Sequence, residues 1–373
     1  MSDKIYWIWL ASIDKLGPAK IKPLLEYFGS PEKIYNTDYN DLRDIKGLSA
    51  AVIKQLLDKD TTYAQRAIKN AKENGFTILS LFDKKYPDRL RNIYDPPIVL
   101  YIKGKLPDID ALPAVGVVGT RNCTPYGVKH AESVGYLLSQ NGITVVTGLA
   151  QGIDSAAIRG ALKGYTPTVG VIASGPDIVF PTCNRSLFDK VSQNGAIVSE
   201  YSPGTPAVPG HFPSRNRIIS GLSNGIAVIE APIRSGALIT ADRAMEQGRD
   251  VFALPGNVDA AACMGSNKLL RLGCIPFMSA DDIIDEYRDF YKCIKKPIDN
   301  SLSVEYIDLD KMTCRLTGNA KKIALSIGFG LVNTTEIIAK TGLDAQNVLS
   351  ELTIMELDGY LKRDLIGRWE IVK

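Results

Sequence analysis

Residues 114–127, AVGVVGTRNCTPYG, decide how this chain is read. The stretch opens as a run of small and β-branched apolar residues, the composition of a strand buried on both faces. It stops at Gly119-Thr120-Arg121, two small residues and a cation, and a helical pattern follows with Ala131, Val134 and Leu138 on one face. Strand, tight turn and helix make the first unit of a nucleotide-binding α/β sheet. A helix starting there offers free backbone N–H groups and the positive end of its dipole to an anion. Arg121 adds a full charge.

Working outward, the alternation is regular. Apolar strands are expected at 114–120, 143–147, 166–173, 196–199, 226–230 and 251–254, with a shorter run at 275–278. Helical or mixed segments separate them, which predicts a Rossmann-like, doubly wound parallel sheet with right-handed crossovers. Ligands then belong at the carboxyl ends of the strands. Upstream, residues 77–82 and 98–102 read as two strands added to the sheet edge, separated by Tyr86-Pro87 and Pro96-Pro97.

Four domains follow from this patterning: a helical region at 1–61, the sheet domain at 62–290, a linker at 291–318 and a last domain at 319–373. In the first, Ile21, Leu24, Leu25 and Phe28 share a helix face, and Ser30-Pro31 is a cap with proline at the first helical position. Leu16-Gly17-Pro18 and Ile45-Lys46-Gly47-Leu48-Ser49 each join two helices through a glycine, as in helical hairpins that present amides to DNA phosphates. The nine Lys/Arg of residues 1–60 are offset by acidic residues, which favours a protein-interaction module there. The last domain reads helix, helix, turn at Thr341-Gly342-Leu343-Asp344, longer helix, then two short strands around Ile366-Gly367, a winged-helix pattern. Gln346, Asn347 and Ser350 point toward base reading, but seven basic and seven acidic residues leave the module neutral. That balance favours protein or intramolecular contact over duplex DNA.

Bulk properties narrow the class. The 373 residues are 45% hydrophobic and 23% charged, with a net charge of +3, so any basic surface must be local. Six cysteines stand at 123, 183, 263, 274, 293 and 314 with no C-x-x-C spacing, which fits reduced thiols in the cytoplasm. The apolar run IYWIWLA at 5–11 is too short to span a membrane and reads as a buried first helix.

Five segments converge on the carboxyl edge of the expected sheet. They are Gly119-Thr120-Arg121 with Thr124 and Tyr126; Gly148, Ala150 and Gly152 with Asp154; Asn184 and Arg185 after Phe180-Pro181; Arg215, Asn216 and Arg217, with Ser214 as the expected helix cap; and Ser235-Gly236-Ala237 at a capped helix start. Three helix starts and four arginines form a cradle for several phosphates. Asp154 and Glu200 read as structural partners of Arg215 and Arg217, since buried charges need counter-charges. Tyr126 suits either base stacking or packing.

Catalytic patterns are missing. Only His130 and His211 are present, outside any Ser/His/Asp or metal-ligand arrangement. Neither a G-x-x-x-x-G-K-[ST] loop nor a first-turn G-x-G-x-x-G occurs. No metal and no cofactor is expected. A cradle without catalytic groups reads as a binder, not an enzyme.

The segments GTRNCTPYG (119–127), TGLAQGID (147–154), FPTCNRSL (180–187), SEYSPG (199–204), FPSRNRIISGLS (212–223), VIEAPIRSGALITADRAMEQGR (228–249) and ALPGN (253–257) together resemble the DNA-processing protein A family in order and spacing. The resemblance implies an extended Rossmann domain that binds single-stranded DNA. It also implies a homodimer that loads the recombinase RecA onto DNA coated with single-strand-binding protein and protects strands in natural transformation. The helical front, read as a SAM/helix-hairpin-helix-like domain, and the winged-helix tail match longer members. By this resemblance Arg121 is the leading phosphate contact, with Arg185, Arg215, Arg217 and the 148–152 and 235–237 backbones beside it. Thr120 replaces a frequent serine, Phe180 a frequent tyrosine, and Arg185 a nearby lysine. The sheet also resembles lysine-decarboxylase-like nucleotide phosphoribohydrolases, but their P-G-G-x-G-T loop is absent at Ser235–Thr240. A third reading, a transcription factor acting through the winged helix, is opposed by the neutral charge of that module.

Overall fold

The strand that opens at Ala114 lies well inside a sheet whose neighbours alternate in both directions. A computed structural model describes residues 3–43, 45–294, 316, 318–327, 332–363 and 367–371. They fall into two compact units that divide at Lys296 and Pro297. Most of the expected linker, residues 295–315 and 317, lies outside the described residues, as does Ile366 of the expected ribbon turn.

The first unit begins with helices α1 (Asp3–Ala11), α2 (Pro18–Phe28), α3 (Pro31–Asn36), α4 (Tyr39–Arg43), α5 (Ala50–Asp58) and α6 (Thr62–Glu73). Ser30 caps α3 and Ser49 caps α5 through side-chain bonds to the Lys33 and Val52 N–H groups. Trp7, Ile8, Leu10, Leu24 and Leu56 of this front share one core with Leu79, Leu81 and Ile98. The helical region is therefore seated against the edge strands β1 (Thr77–Ser80) and β2 (Val99–Gly104). The short helix α7 (Asp88–Arg91) lies between those strands in sequence.

The alternating part follows: β3 (Ala114–Val118), α8 (Pro125–Gln140), β4 (Thr144–Thr147), α9 (Ile153–Ala161), β5 (Thr168–Ile172), α10 (Arg185–Asn194), β6 (Ala196–Ser199), α11 (His211–Leu222), β7 (Gly225–Val228), α12 (Gly236–Glu246), β8 (Asp250–Ala253), α13 (Met264–Arg271), β9 (Ile275–Pro276) and α14 (Ala280–Arg288). Among the described residues nine strands form one sheet in the order β1-β2-β6-β5-β4-β3-β7-β8-β9. β1 and β2 are antiparallel additions at the β6 edge, and every pair from β6 to β9 is parallel. Both faces are covered, as the apolar runs require. Val115 and Val117 join a core with Ala131, Val134 and Leu138 of α8, while Ala114 and Val118 join the opposite one with Ile218 and Ile219 of α11.

The order makes β3 the switch point. From it the chain winds through β4 and β5 to β6, then returns through α11 to lay β7 on the other side of β3. In such a sheet the crevice opens beyond the carboxyl ends of the two strands that flank the reversal, here β3 and β7. β3 and β7 each end two residues earlier than the apolar runs predict, and the Gly119-Thr120 turn after β3 faces that crevice.

The second unit contains α15 (Gly318–Ile327), α16 (Thr334–Thr341), α17 (Ala345–Leu357) and the antiparallel pair β10 (Leu361–Arg363) and β11 (Trp369–Ile371). Asn333 and Asp344 cap α16 and α17, and Gly342 ends α16 at φ 66°. Trp369 is fully buried among Ile323, Ile337, Val348 and Leu352, with its indole N–H on Thr334 Oγ1 at 3.0 Å.

Candidate functional site

At the switch point two loops face each other, 119–122 after β3 and 229–235 after β7. Between them lies a cleft of about 280 Å³. One wall is Gly119, Thr120 and Arg121; the other is Arg234, Ser235, Gly236 and Ala237; Ala150, Asp154, Phe212, Arg215 and Asn216 complete it. A smaller cleft of about 130 Å³ continues past Arg121 and Phe212, lined by Gly148, Ala150, Gln151, Phe180 and Arg215. Arg121 and Phe212 belong to both clefts and form the ridge between them. The Arg121 guanidinium carbon stands 5.3 Å from the Phe212 ring centre, and Phe180 packs against the same ring at 5.7 Å.

The loop after β4 forms the floor. Leu149 is left-handed at φ 51° and Gly152 at φ 85°. Thr147 Oγ1 accepts from the Leu149 N–H at 3.1 Å, and Asn184 donates to the Leu149 carbonyl and to Ser155 Oγ, both at 2.9 Å. Asp154, in the first turn of α9, accepts from the Gly148 N–H at 2.9 Å and the Ala150 N–H at 3.4 Å. Burial raises its carboxyl pKa, against the pull of Arg215 and of these amides.

Two of the four arginines face inward. Arg215, 6% exposed, donates to the Gly148 carbonyl at 2.7 Å and to the Val171 carbonyl, so it ties the β4 loop to the end of β5. A side chain at Gly148 would collide with this guanidinium, which explains the glycine. Burial lowers the Arg215 pKa to about 10, with Asp154 acting in the opposite direction. Arg217, 4% exposed, is held by Glu200, Asp95 and the Ser214 carbonyl. Burial alone would lower its pKa, but Glu200 and Asp95 more than offset that and hold it above the usual value.

The helix starts differ in detail. Ser235 caps α12 through the Ala237 N–H at 3.2 Å, as expected, and Asn216 donates to the Gly236 carbonyl at 3.2 Å. Ser214 is not the cap of α11: that helix already begins at His211, and Ser214 Oγ bonds back to the Gly210 carbonyl at 3.4 Å. The apolar periodicity of 212–223 concealed the extra turn, which Pro209-Gly210 ends.

Thr124, Tyr126, Gly152, Asn184, Arg185, Arg217 and Glu200 line neither cleft. Thr124 caps α8, and the Tyr126 hydroxyl donates to the Pro255 carbonyl at 2.8 Å. Arg185 is exposed at the start of α10. Conversely, Arg234 and Phe212 line the clefts although the sequence did not single them out as contacts. No cluster of metal-ligating side chains occurs among the described residues.

The sheet order, with a crevice at the switch point walled by a capped helix start and cations, places the chain in the doubly wound α/β class. More narrowly, residues 77–288 match the DNA recombination-mediator protein A family, and the chain belongs to it. Residues 10–59 match the SAM-like helix-hairpin-helix tandem. Relatives include the DNA processing protein DprA of Streptococcus pneumoniae, 39% identical over 66% of this chain and 86% of that protein. The protein Smf of Synechocystis is 33% identical over 76% and 72%. Among solved structures, that of the Streptococcus pneumoniae DprA has a TM-score of 0.67 at 37% identity, covering 76% of this chain and 97% of the other. The Helicobacter pylori DNA processing protein A, whose structure is described for its single-stranded DNA binding mode, has a TM-score of 0.53 at 28% identity over 58% and 97%.

Proposed function

We propose that this protein binds single-stranded DNA along the carboxyl edge of its sheet and acts in DNA processing, as in natural transformation and recombination. The observation that carries the reading is Arg121, a cation with no ion pair among the described residues, set on the ridge between two continuous clefts. Clefts of about 280 and 130 Å³ sit on either side of Arg121 and Phe212 as places for the units of one strand. Phe212 and Phe180 offer rings beside the cation, the combination that sequence-tolerant strand binders use. Gly119, Thr120, Ala150, Asn216 and Ser235–Ala237 complete the contact surface. Arg215, Arg217, Asp154 and Glu200 hold it in shape.

The wider activity rests on the family. RecA loading on DNA coated with single-strand-binding protein, a homodimer, a cytoplasmic location and a non-enzymatic role complete the proposal. Residues 1–61 serve as the SAM-like module, 62–290 as the strand-binding domain, 291–318 as a linker and 319–373 as a winged helix. None of the described helices is long and apolar enough to cross a membrane. The test compares oligo-dT, duplex DNA and nucleoside monophosphates at two salt concentrations by fluorescence anisotropy. Oligo-dT should bind tightest and lose affinity steeply with salt. Equal duplex affinity, or base release from a nucleoside monophosphate, would overturn the reading.

A further inference from the structure

We infer that Glu230 is the positioning residue of the strand-binding site: it fixes both ends of the loop that carries Arg121. The inference rests on the strand-binding reading above. Glu230 lies two residues past the end of β7 and is fully buried. Its backbone carbonyl accepts from the Thr120 N–H at 2.7 Å. Its carboxylate accepts from the Thr124 N–H at 2.9 Å through Oε2 and from the Thr124 hydroxyl at 2.6 Å through Oε1. One residue therefore grips positions 120 and 124, and Arg121 projects from the short span between them.

Glu230 lines neither cleft, so it acts on the strand only through that loop. No basic side chain bonds to this carboxylate among the described residues. Its charge faces the start of α8, where Thr124 is the cap and where the free N–H groups and the dipole favour an anion. Cys263 Sγ also donates to Oε1, at 3.9 Å. A side chain at Gly127 would collide with Oε2, so the helix start is shaped around the carboxylate. Glu230 also belongs to the connection that leads into Arg234 and Ser235. The two walls of the cleft are thus set relative to each other by a single residue, its carbonyl at Thr120 and its carboxylate at Thr124.

The test is a double-mutant cycle on oligo-dT affinity and its salt dependence, using the full chain. Glu230→Ala and Arg121→Ala should each weaken binding by about tenfold and make the salt slope shallower by about 0.7, the value of one lost phosphate contact to a single strand. Combined with Arg121→Ala it should cost nothing more, because it acts through that arginine. Glu230→Gln keeps the volume and can still bond both Thr124 groups, with its amide donating to the hydroxyl, so it should recover most of the affinity and the parent slope. It also carries the test if Glu230→Ala does not fold. Folded Glu230 variants with parent affinity and slope would overturn the inference, as would additive losses in the cycle, or a Gln variant no better than Ala. If the parent does not bind oligo-dT, or Arg121→Ala binds as the parent does, the strand-binding reading itself fails, a distinct result.

Discussion

Arg217 and Glu200 meet as a two-pronged pair, Nη1 to Oε2 at 2.9 Å and Nη2 to Oε1 at 2.6 Å, with Asp95 against Nε at 3.1 Å. The guanidinium side chain is 5% exposed. It therefore joins the second turn of α11 to the end of β6 and to the segment before β2, and it is not free to hold a ligand. Removing Arg217 empties an enclosed site and leaves the half-buried carboxylates of Glu200 and Asp95 without their counter-charge, which is the costly case. Arg217→Ala should lower the unfolding free energy by about 3 kcal/mol. Arg121→Ala, on an exposed side chain, should change it by no more than about 0.5 kcal/mol. Urea unfolding of the two variants reads the contrast, and equal destabilisation would mean that Arg121 is also a structural group.

Gly152 tests the floor of the cleft. Its φ of 85° is unfavourable for any other residue, and a β-carbon there would collide with the carbonyl oxygens of Thr120 and Arg121. Neither carbonyl can move without shifting the loop that Glu230 holds. Gly152→Ala should cost about 2 kcal/mol or more in stability. It should also weaken oligo-dT binding in the molecules that remain folded. A variant with parent stability and affinity would show that the loop after β4 adapts independently of the Arg121 loop.

Why some of this was legible and some not follows from the physics of each element. The buried strands announce themselves because a parallel sheet covered on both faces needs continuous apolar runs, and Val115 and Val117 sit as fully enclosed as their pattern implies. The edge pair β1–β2 was readable because prolines punctuate it. Helix capping by Thr124 and Ser235 is local chemistry, so the sequence carries it directly. The roles of the arginines are not local. Arg215 and Arg217 lie two residues apart on α11, yet one reaches the carbonyls of β4 and β5 and the other reaches Glu200 and Asp95. Only the tertiary fold determines which guanidinium is enclosed. Arg234 escaped notice for the same reason: an isolated cation in a loop has no periodic signal.

Asp83 gives a pH test of how the helical front is fastened. Its carboxylate accepts from the Ser80 N–H at 2.6 Å and pairs with the Lys4 ammonium of α1, which also donates to Ser80 Oγ at 2.9 Å. Burial alone would raise the Asp83 pKa, but Lys4 and Ser80 outweigh it and hold the group below its ordinary value of 3.8. A carboxyl with a depressed folded-state pKa adds stability above its unfolded pKa and loses it as pH falls through the folded value. Asp83→Asn should therefore melt below the parent at neutral pH, and the gap should begin to close below pH 3.8 and vanish as the pH passes the lower folded-state value. A gap that persists in acid would assign the contribution to packing.

The path of the strand is tested by two arginines that stand differently toward the clefts. Arg234 borders the larger cleft beside the capped start of α12, while Arg185 stands exposed at the start of α10, outside both clefts. Neither has an ion-pair partner among the described residues, so their difference is one of place rather than availability. A cation on the wall of a cleft meets phosphates that are already partly desolvated, where a charge-assisted hydrogen bond is worth about 1.5–3 kcal/mol. A fully exposed one acts through screened solvent and contributes less. Arg234→Ala should accordingly reduce oligo-dT affinity about tenfold or more. Arg185→Ala should have a smaller effect that fades as salt rises through the physiological range. Anisotropy titrations with both variants at low and physiological salt measure this ordering. The reverse order would place the strand across the Phe180–Arg185 loop and leave the larger cleft to one side of its path.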